Sequence, residues 1–259
     1  MLTLAIAQAP SDLPDWAARM AWLETHLPEV SAQGADLLVL PELFACGYFI
    51  GDQLQERAEP RDGATAKQLQ KLAQAHGVAI HCGYAERGGD TLYNSAMCIG
   101  PDGVLLGHQR KLAIPPGFEC NFLAPGNGVS LFEFRGFKIA TLICYDAEFP
   151  ETFRHVAALG AELVLVPTAL GADWNWVAET MIPTRAYENG VFLAYANGAG
   201  QQGEMSFLGK SVIATPDGRE LARAGAGPEI LFADLDHALV VKAQARLPYL
   251  KDRLRLNLS

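Results

Sequence analysis

No apolar run in this chain approaches the roughly 20 consecutive residues that a membrane-crossing helix needs. Positive charge is scarce as well: 20 lysines and arginines face 29 aspartates and glutamates, a net charge of −9. That balance argues against a nucleic-acid backbone or anionic lipid as partner, since both need a basic surface. Cys-x-x-Cys is absent. The five cysteines, Cys46, Cys82, Cys98, Cys120 and Cys144, have neither zinc-ligand spacing nor the even count of a disulfide framework. Low-complexity segments and charge blocks are missing too. The N-terminal stretch 2–8 lacks a basic start and runs into Pro10 and Asp12, so it reads as a strand and not as a targeting segment. These absences predict a cytoplasmic protein with reduced thiols and no metal site.

Half of the 259 residues are hydrophobic, enough for one large domain spanning 1–259. Trp16, Met20, Leu23, Leu27 and Val30 recur at helical spacing after the first strand. A short apolar strand over 36–40 ends at Pro41-Glu42, and a second helix covers 63–76. Strands over 78–84 and 92–99 flank the turn Gly88-Gly89-Asp90, and Pro101-Asp102-Gly103 turns the chain into another strand. The second half repeats this grammar. It has a strand over 137–143, a helix over 150–159, a strand over 163–166 and a helical stretch over 174–189 interrupted near Pro183. Strands over 191–196 and 211–215 follow, then Pro216-Asp217-Gly218, 115 residues after its counterpart, and a return strand. Each half then makes a sheet with helices on one face and an apolar second face. Packing those faces together predicts an α/β, four-layer α-β-β-α sandwich.

Four residues stand where chemistry is plausible. Cys144 falls at a strand-to-helix junction, the end of a sheet where α/β proteins place ligands; it is a nucleophile or a buried structural thiol. Glu42 follows an apolar strand, where a raised pKa would suit a general base; the plain alternative is an exposed loop acid. Lys111 ends a strand as a fixed cation or as a snorkelling edge lysine. Glu119, eight residues on, pairs with it or faces water.

Together these residues resemble the nitrilase superfamily of carbon–nitrogen hydrolases over nearly the whole chain. Leu40-Pro41-Glu42 is similar to its glutamate motif. Arg110-Lys111-Leu112 with Glu119 is similar to its lysine motif and second glutamate. Cys144-Tyr145-Asp146 with Phe149-Pro150-Glu151 is similar to its cysteine motif. Tyr93-Asn94-Ser95, Arg185-Ala186 with Glu188-Asn189, and Gly209-Lys210-Ser211 add supporting matches. The resemblance implies the four-layer fold already read from the repeat. It also implies Cys144 as nucleophile, Glu42 as base, Lys111 with the Tyr145 backbone N–H as oxyanion partners, and Glu119 as the residue holding Lys111. It calls for no metal or organic cofactor. Cys82 and Cys98 are then core residues, and Cys46 and Cys120, in loops near Glu42 and Glu119, are candidates to line the pocket.

The residues after the cysteine narrow the resemblance. Nitrile-hydrolysing members continue Cys-Trp-Glu, and members acting on carboxylate-bearing substrates carry a nearby arginine, suited to bidentate binding. This chain has Tyr145-Asp146-Ala147-Glu148, most similar to the (R)-stereoselective amidase subgroup. The expected substrate is a small primary carboxamide, neutral or amine-bearing. Glu148 attracts that amine or serves as a helix N-terminal acid. Phe44, Tyr48, Trp174 and Asn175 are candidates to line the pocket, or else ordinary packing residues. Alternatives are an ω-amidase, an N-carbamoyl amine hydrolase, a nitrilase or a non-catalytic binding domain. By the same resemblance the tail from about 236 to 259 belongs at the interface of a homodimer or larger homo-oligomer.

Overall fold

The computed structural model describes residues 1–257; Leu258 and Ser259, the end of the tail expected at an interface, lie outside the described residues. The first half runs β1 (Leu2–Gln8), α1 (Trp16–Ala32), β2 (Leu37–Val39), α2 (Gln53–Arg57), α3 (Ala64–His76), β3 (Ala79–Gly88), β4 (Thr91–Ile99) and β5 (Leu105–Arg110). The second runs β6 (Leu131–Phe134), β7 (Phe137–Thr141), α4 (Pro150–Ala158), β8 (Leu163–Pro167), α5 (Ile182–Asn189), β9 (Phe192–Ala196), β10 (Ala199–Gln202), β11 (Met205–Leu208), β12 (Val212–Ala214) and β13 (Glu220–Arg223). Then follow β14 (Glu229–Leu235), α6 (His237–Arg246) and α7 (Tyr249–Asp252).

Two six-stranded sheets result, ordered β14-β1-β2-β3-β4-β5 and β13-β12-β9-β8-β7-β6. In both, a parallel trio is linked by helices and flanked by antiparallel strands. Strand alternation sends successive side chains to opposite faces, and both faces are apolar. Leu37 and Val39 meet Ile139, Leu163, Leu165 and Phe192 between the sheets. Leu38, Ile80 and Cys82 face the other way, against Leu23 and Leu27 of α1 and Leu69 of α3. Val164, Val166 and Leu193 do likewise against Phe153 and Val156 of α4 and Ile182 of α5. Three apolar layers separate helices, sheet, sheet and helices, as the repeat predicts.

The structure adds elements that periodicity did not show. β14 crosses back to pair antiparallel with β1 from Leu2↔Leu235 to Gln8↔Glu229, and β6 plays the same part beside β7. The stretch 174–189 breaks just ahead of Pro183: a π-helical turn over Val177–Met181 gives way to α5, whose first turn holds the proline. That is where proline's missing N–H costs nothing. No helix among the described residues is long and apolar enough to cross a membrane.

Candidate active site

The strand ends gather the four candidate residues from both sheets. β2 is followed by Pro41 and Glu42, and the chain then turns through Leu43, held at φ 49°. Gly83 of β3 permits that turn: a Cβ there would sit 2.5 Å from the Leu43 nitrogen and 2.6 Å from the Pro41 oxygen. The glutamate turn therefore lies directly on the β3 backbone. At the end of β5, alternation points Arg110 outward, to the Glu86 carboxylate at 2.7 Å, and Lys111 inward. The Lys111 N–H is anchored on the Asn94 carbonyl of β4 at 2.8 Å.

Lys111 is fully buried, and so nearly are Glu42 and Glu119, at 3% and 1% exposure. Its Nζ donates to Glu42 Oε1 at 2.7 Å and to Glu119 Oε1 at 2.6 Å. Asn94 Nδ2 bridges the same two carboxylates, to Glu42 Oε1 at 2.7 Å and Glu119 Oε2 at 3.1 Å. The Tyr48 hydroxyl donates to Glu119 Oε1 at 2.7 Å. Glu42 Oε2 is buried and takes no hydrogen bond from the described residues. Burial pushes the Glu42 carboxyl up to about 7, and the Glu119 charge adds to it, against the pull of Lys111 and Asn94. Burial alone would lower the Lys111 pKa, but Glu42 and Glu119 outweigh it and hold the ammonium above a free lysine.

Cys144 leaves β7 from the opposite sheet and heads a 3₁₀ turn over Cys144–Glu148. It sits at φ 47° and keeps partial access to solvent. Non-glycine residues occupy this left-handed region at a cost, and such strain collects at functional sites. Burial and the Glu42 charge push its thiol above the ordinary value, while Lys111 and the Thr168 hydroxyl pull it down. All three members of the carboxylate–lysine network thus act electrostatically on this sulfur. Tyr145 follows in the turn, its ring edge-on to Phe149 at 4.9 Å.

The substrate-binding candidates divide. Tyr48 belongs to the network through its hydroxyl and to an aromatic wall with Phe118, 5.7 Å away. Glu148 is half-buried, its pKa raised by burial, and its carboxylate meets no hydrogen-bond or ion-pair partner among the described residues. Its backbone carbonyl instead accepts from Arg185 at 2.7 Å. Phe44 is a core residue packed on Trp22 under α1, although it also borders a cavity of about 20 Å³ behind Glu42. Trp174 is 63% exposed, and Asn175 bonds Glu179 at the surface; neither bonds the network. The strand end after β8 contributes Thr168 in their place. Its carbonyl accepts the Glu42 N–H at 3.4 Å, and its hydroxyl lowers the Cys144 pKa; it stands immediately past Pro167, well before residue 174. Cys82 and Cys98 are buried strand residues, as expected. Cys46 is buried beside Leu43 and Leu54, and Cys120 is exposed and borders a different groove, so neither lines this site.

Asn94, Thr168 and the Tyr48 hydroxyl were not assigned these contacts from sequence. The sequence signal for Asn94 is its place in Tyr93-Asn94-Ser95, a supporting match that marks the residue without giving its partners.

The chain that carries this arrangement is similar to known proteins. The carbon–nitrogen hydrolase family matches residues 3–245. A Pseudomonas protegens protein named "Hydrolase in pqqF 5'region" is 39% identical over 97% of this chain and 89% of its own. An (R)-stereoselective amidase of Pseudomonas sp. is 38% identical over 88% and 82%. A solved amidase of Nesterenkonia sp. AN1 superposes with a TM-score of 0.87 at 31% identity, covering 99% of this chain and all of that one; it carries acrylamide added at its active site cysteine. With a family match that takes in both sheets and every residue of the network, the chain belongs to the carbon–nitrogen hydrolases.

Proposed function

We propose that the protein is a cysteine-dependent amidase that converts a small primary carboxamide to a carboxylate and ammonia. The observation that carries this reading is the division of labour on Glu42. Oε1 is held by Lys111 and Asn94, Oε2 is buried and unpartnered among the described residues, and the Glu42 carboxylate acts electrostatically on the Cys144 thiol. Glu42 Oε2 takes the thiol proton as the sulfur attacks the amide carbon. The Lys111 ammonium and the Tyr145 N–H receive the developing oxyanion. Glu42 passes its proton to the departing nitrogen, the C–N bond breaks, and ammonia leaves a thioester on Cys144. A water then attacks the thioester, its proton going to Glu42 and from there to the sulfur. Glu119, tied to Lys111, Asn94 and Tyr48, holds the cation in place.

The half-buried, unpartnered Glu148 favours neutral or amine-bearing amides over carboxylate-bearing ones. The chain acts as one unit, in the cytoplasm, as a homodimer or larger homo-oligomer with its C-terminal tail at the interface. Ammonia release across primary amides, nitriles and ureido compounds tests the reaction, with Cys144→Ala as blank. Amides should turn over, and the variant should be folded and inactive. Release by Cys144→Ala at the wild-type rate would sink the assignment. Faster turnover of ω-carboxy amides than of neutral or amine-bearing ones would remove the role given to Glu148.

A further inference from the structure

Two residues past Cys144, Asp146 is fully buried and forms no ion pair among the described residues. Its Oδ2 accepts the Ile143 N–H at 3.0 Å, and its own N–H donates to the Ile143 carbonyl at 3.0 Å. Side chain and backbone together close a turn on the residue just before Cys144. Its Oδ1 accepts two more amides, Leu112 N–H at 3.0 Å and Ala113 N–H at 2.8 Å. Leu112 and Ala113 directly follow Lys111. Among the described residues, no other hydrogen bond joins this pair to the cysteine turn.

The two gripped segments belong to different sheets. Lys111 leaves the edge of the first sheet at β5, and Cys144 leaves β7 in the second. Most of the packing between the sheets is apolar and non-directional, and the directional contacts that cross it at Gln8–Ser211, His81–Thr141 and Glu42–Thr168 hold neither Lys111 nor the cysteine turn. A carboxylate accepting three N–H groups is directional. Its burial without a cation is tolerable because these amides satisfy it.

We propose that Asp146 is a positioning residue that sets the separation between the Lys111 ammonium and the Cys144–Tyr145 turn, the two halves of the oxyanion site. The proposal rests on the reading of Cys144 as nucleophile and Lys111 as oxyanion partner. Asp146→Asn is the informative variant because it keeps the volume. Its one oxygen can still serve Leu112 and Ala113, but its NH₂ group then confronts the Ile143 N–H, donor against donor. One side of the clamp opens and the other holds.

The test measures kcat and KM of Asp146→Asn and Asp146→Ala on an amide the wild type hydrolyses. It also measures thermal stability and kcat per mole of Cys144 that iodoacetamide alkylates, counted by peptide mass spectrometry. For Asp146→Asn, kcat per alkylatable Cys144 should fall about 10- to 100-fold, the scale of a misplaced oxyanion donor. KM should stay within about threefold, since ground-state binding is untouched. Asp146→Ala should fall further; if it does not fold, Asp146→Asn decides. A merely structural aspartate would lower stability and the alkylatable fraction while leaving kcat per intact site at the wild-type value, and that result overturns the proposal. Cys144→Ala run in parallel separates the two readings. Turnover surviving in it defeats the nucleophile assignment, whereas a dead Cys144→Ala beside a wild-type-like Asp146→Asn defeats the clamp alone.

Discussion

Glu42 carries two demands that oppose each other. As the base of the proposed mechanism it must be ionised, yet it is buried beside a second carboxylate with only one lysine between them. Its pKa of about 7 states the conflict. Below that value the carboxyl is protonated and cannot accept the thiol proton. The acid limb of kcat/KM should therefore inflect near pH 7, losing about tenfold per pH unit below it. The sign for stability is reversed. A folded-state pKa above the ordinary value means that the native protein binds the proton more tightly. Stability from this group is thus complete below about pH 4.5 and is lost as pH rises through 7, at about 1.4 kcal/mol per pH unit between those two values. Glu42→Gln mimics the protonated form permanently. It should abolish turnover and raise the melting temperature at pH 8, and the gain should shrink as pH is lowered toward 4.5. A variant that melts below the wild type at pH 8 would mean that the Lys111–Glu42 attraction outweighs the burial of the charge.

At the scale of elements, Gly83 decides where Glu42 stands. Around it β3 is buried from Ala79 to Glu86, and the gap at Gly83 admits the Pro41–Leu43 backbone. Gly83→Ala would force a methyl to 2.5 Å from a backbone nitrogen, a contact no side-chain rotation relieves. The expected outcome is a loss of about 1–3 kcal/mol of stability, measured by urea unfolding, with a drop in kcat larger than the fraction of protein unfolded. Wild-type kinetics would show that the turn does not need this contact. Sequence reading shows the limits of local signals here. α1, α3 and the parallel strands are legible because each buries a face with its own period. β14 is not, because its partner β1 lies more than two hundred residues away and its exposure alternates irregularly. The candidate site divides on the same line. Glu42, Lys111, Glu119 and Cys144 could be named from motifs, each of which is a short run. That Asn94 spans both carboxylates, that Tyr48 turns its hydroxyl to Glu119, and that Thr168 meets the Glu42 backbone while Trp174 is exposed all depend on which strand ends converge, and spacing does not encode that.

Viewed whole, the molecule is two copies of one layer pair, and the candidate site draws Glu42, Lys111 and Glu119 from the first and Cys144 from the second. Leu37 and Leu163 both face the space between the sheets, and superposing them sets Pro41 on Pro167 and Glu42 on Thr168. Their β1 and β7 partners, Leu4 and Ile139, then align, so that Ala9 falls where Cys144 stands in the other half. The pair related to Cys144 and Glu42, Ala9 and Thr168, thus carries neither a thiol nor a carboxylate. What joins the halves is the apolar layer together with buried polar contacts, among them Ser211 N–H to Gln8 Oε1 at 2.9 Å and the pair His81 Nε2 and Thr141 Oγ1 at 3.0 Å. His81 Nδ1 has no partner among the described residues, so a protonated ring would bury an unsatisfied N–H with its charge. Burial accordingly depresses its pKa to about 3. The unfolded chain takes up this proton near pH 6.5 and the native one only near 3, so His81 withdraws about 1.4 kcal/mol per pH unit across that window as the solution is acidified. Glu42 and Asp146, both raised by burial, act in the opposite direction over the upper part of it. The contribution is therefore best isolated by comparison. His81→Gln, which keeps a hydrogen-bonding group for Thr141 but cannot be protonated, should be less stable than the wild type at pH 7. Its unfolding free energy, from denaturant titrations between pH 4 and 6, should fall less steeply by about one proton. Parallel curves for the two proteins would show that the joint between the sheets does not sense acid through this histidine.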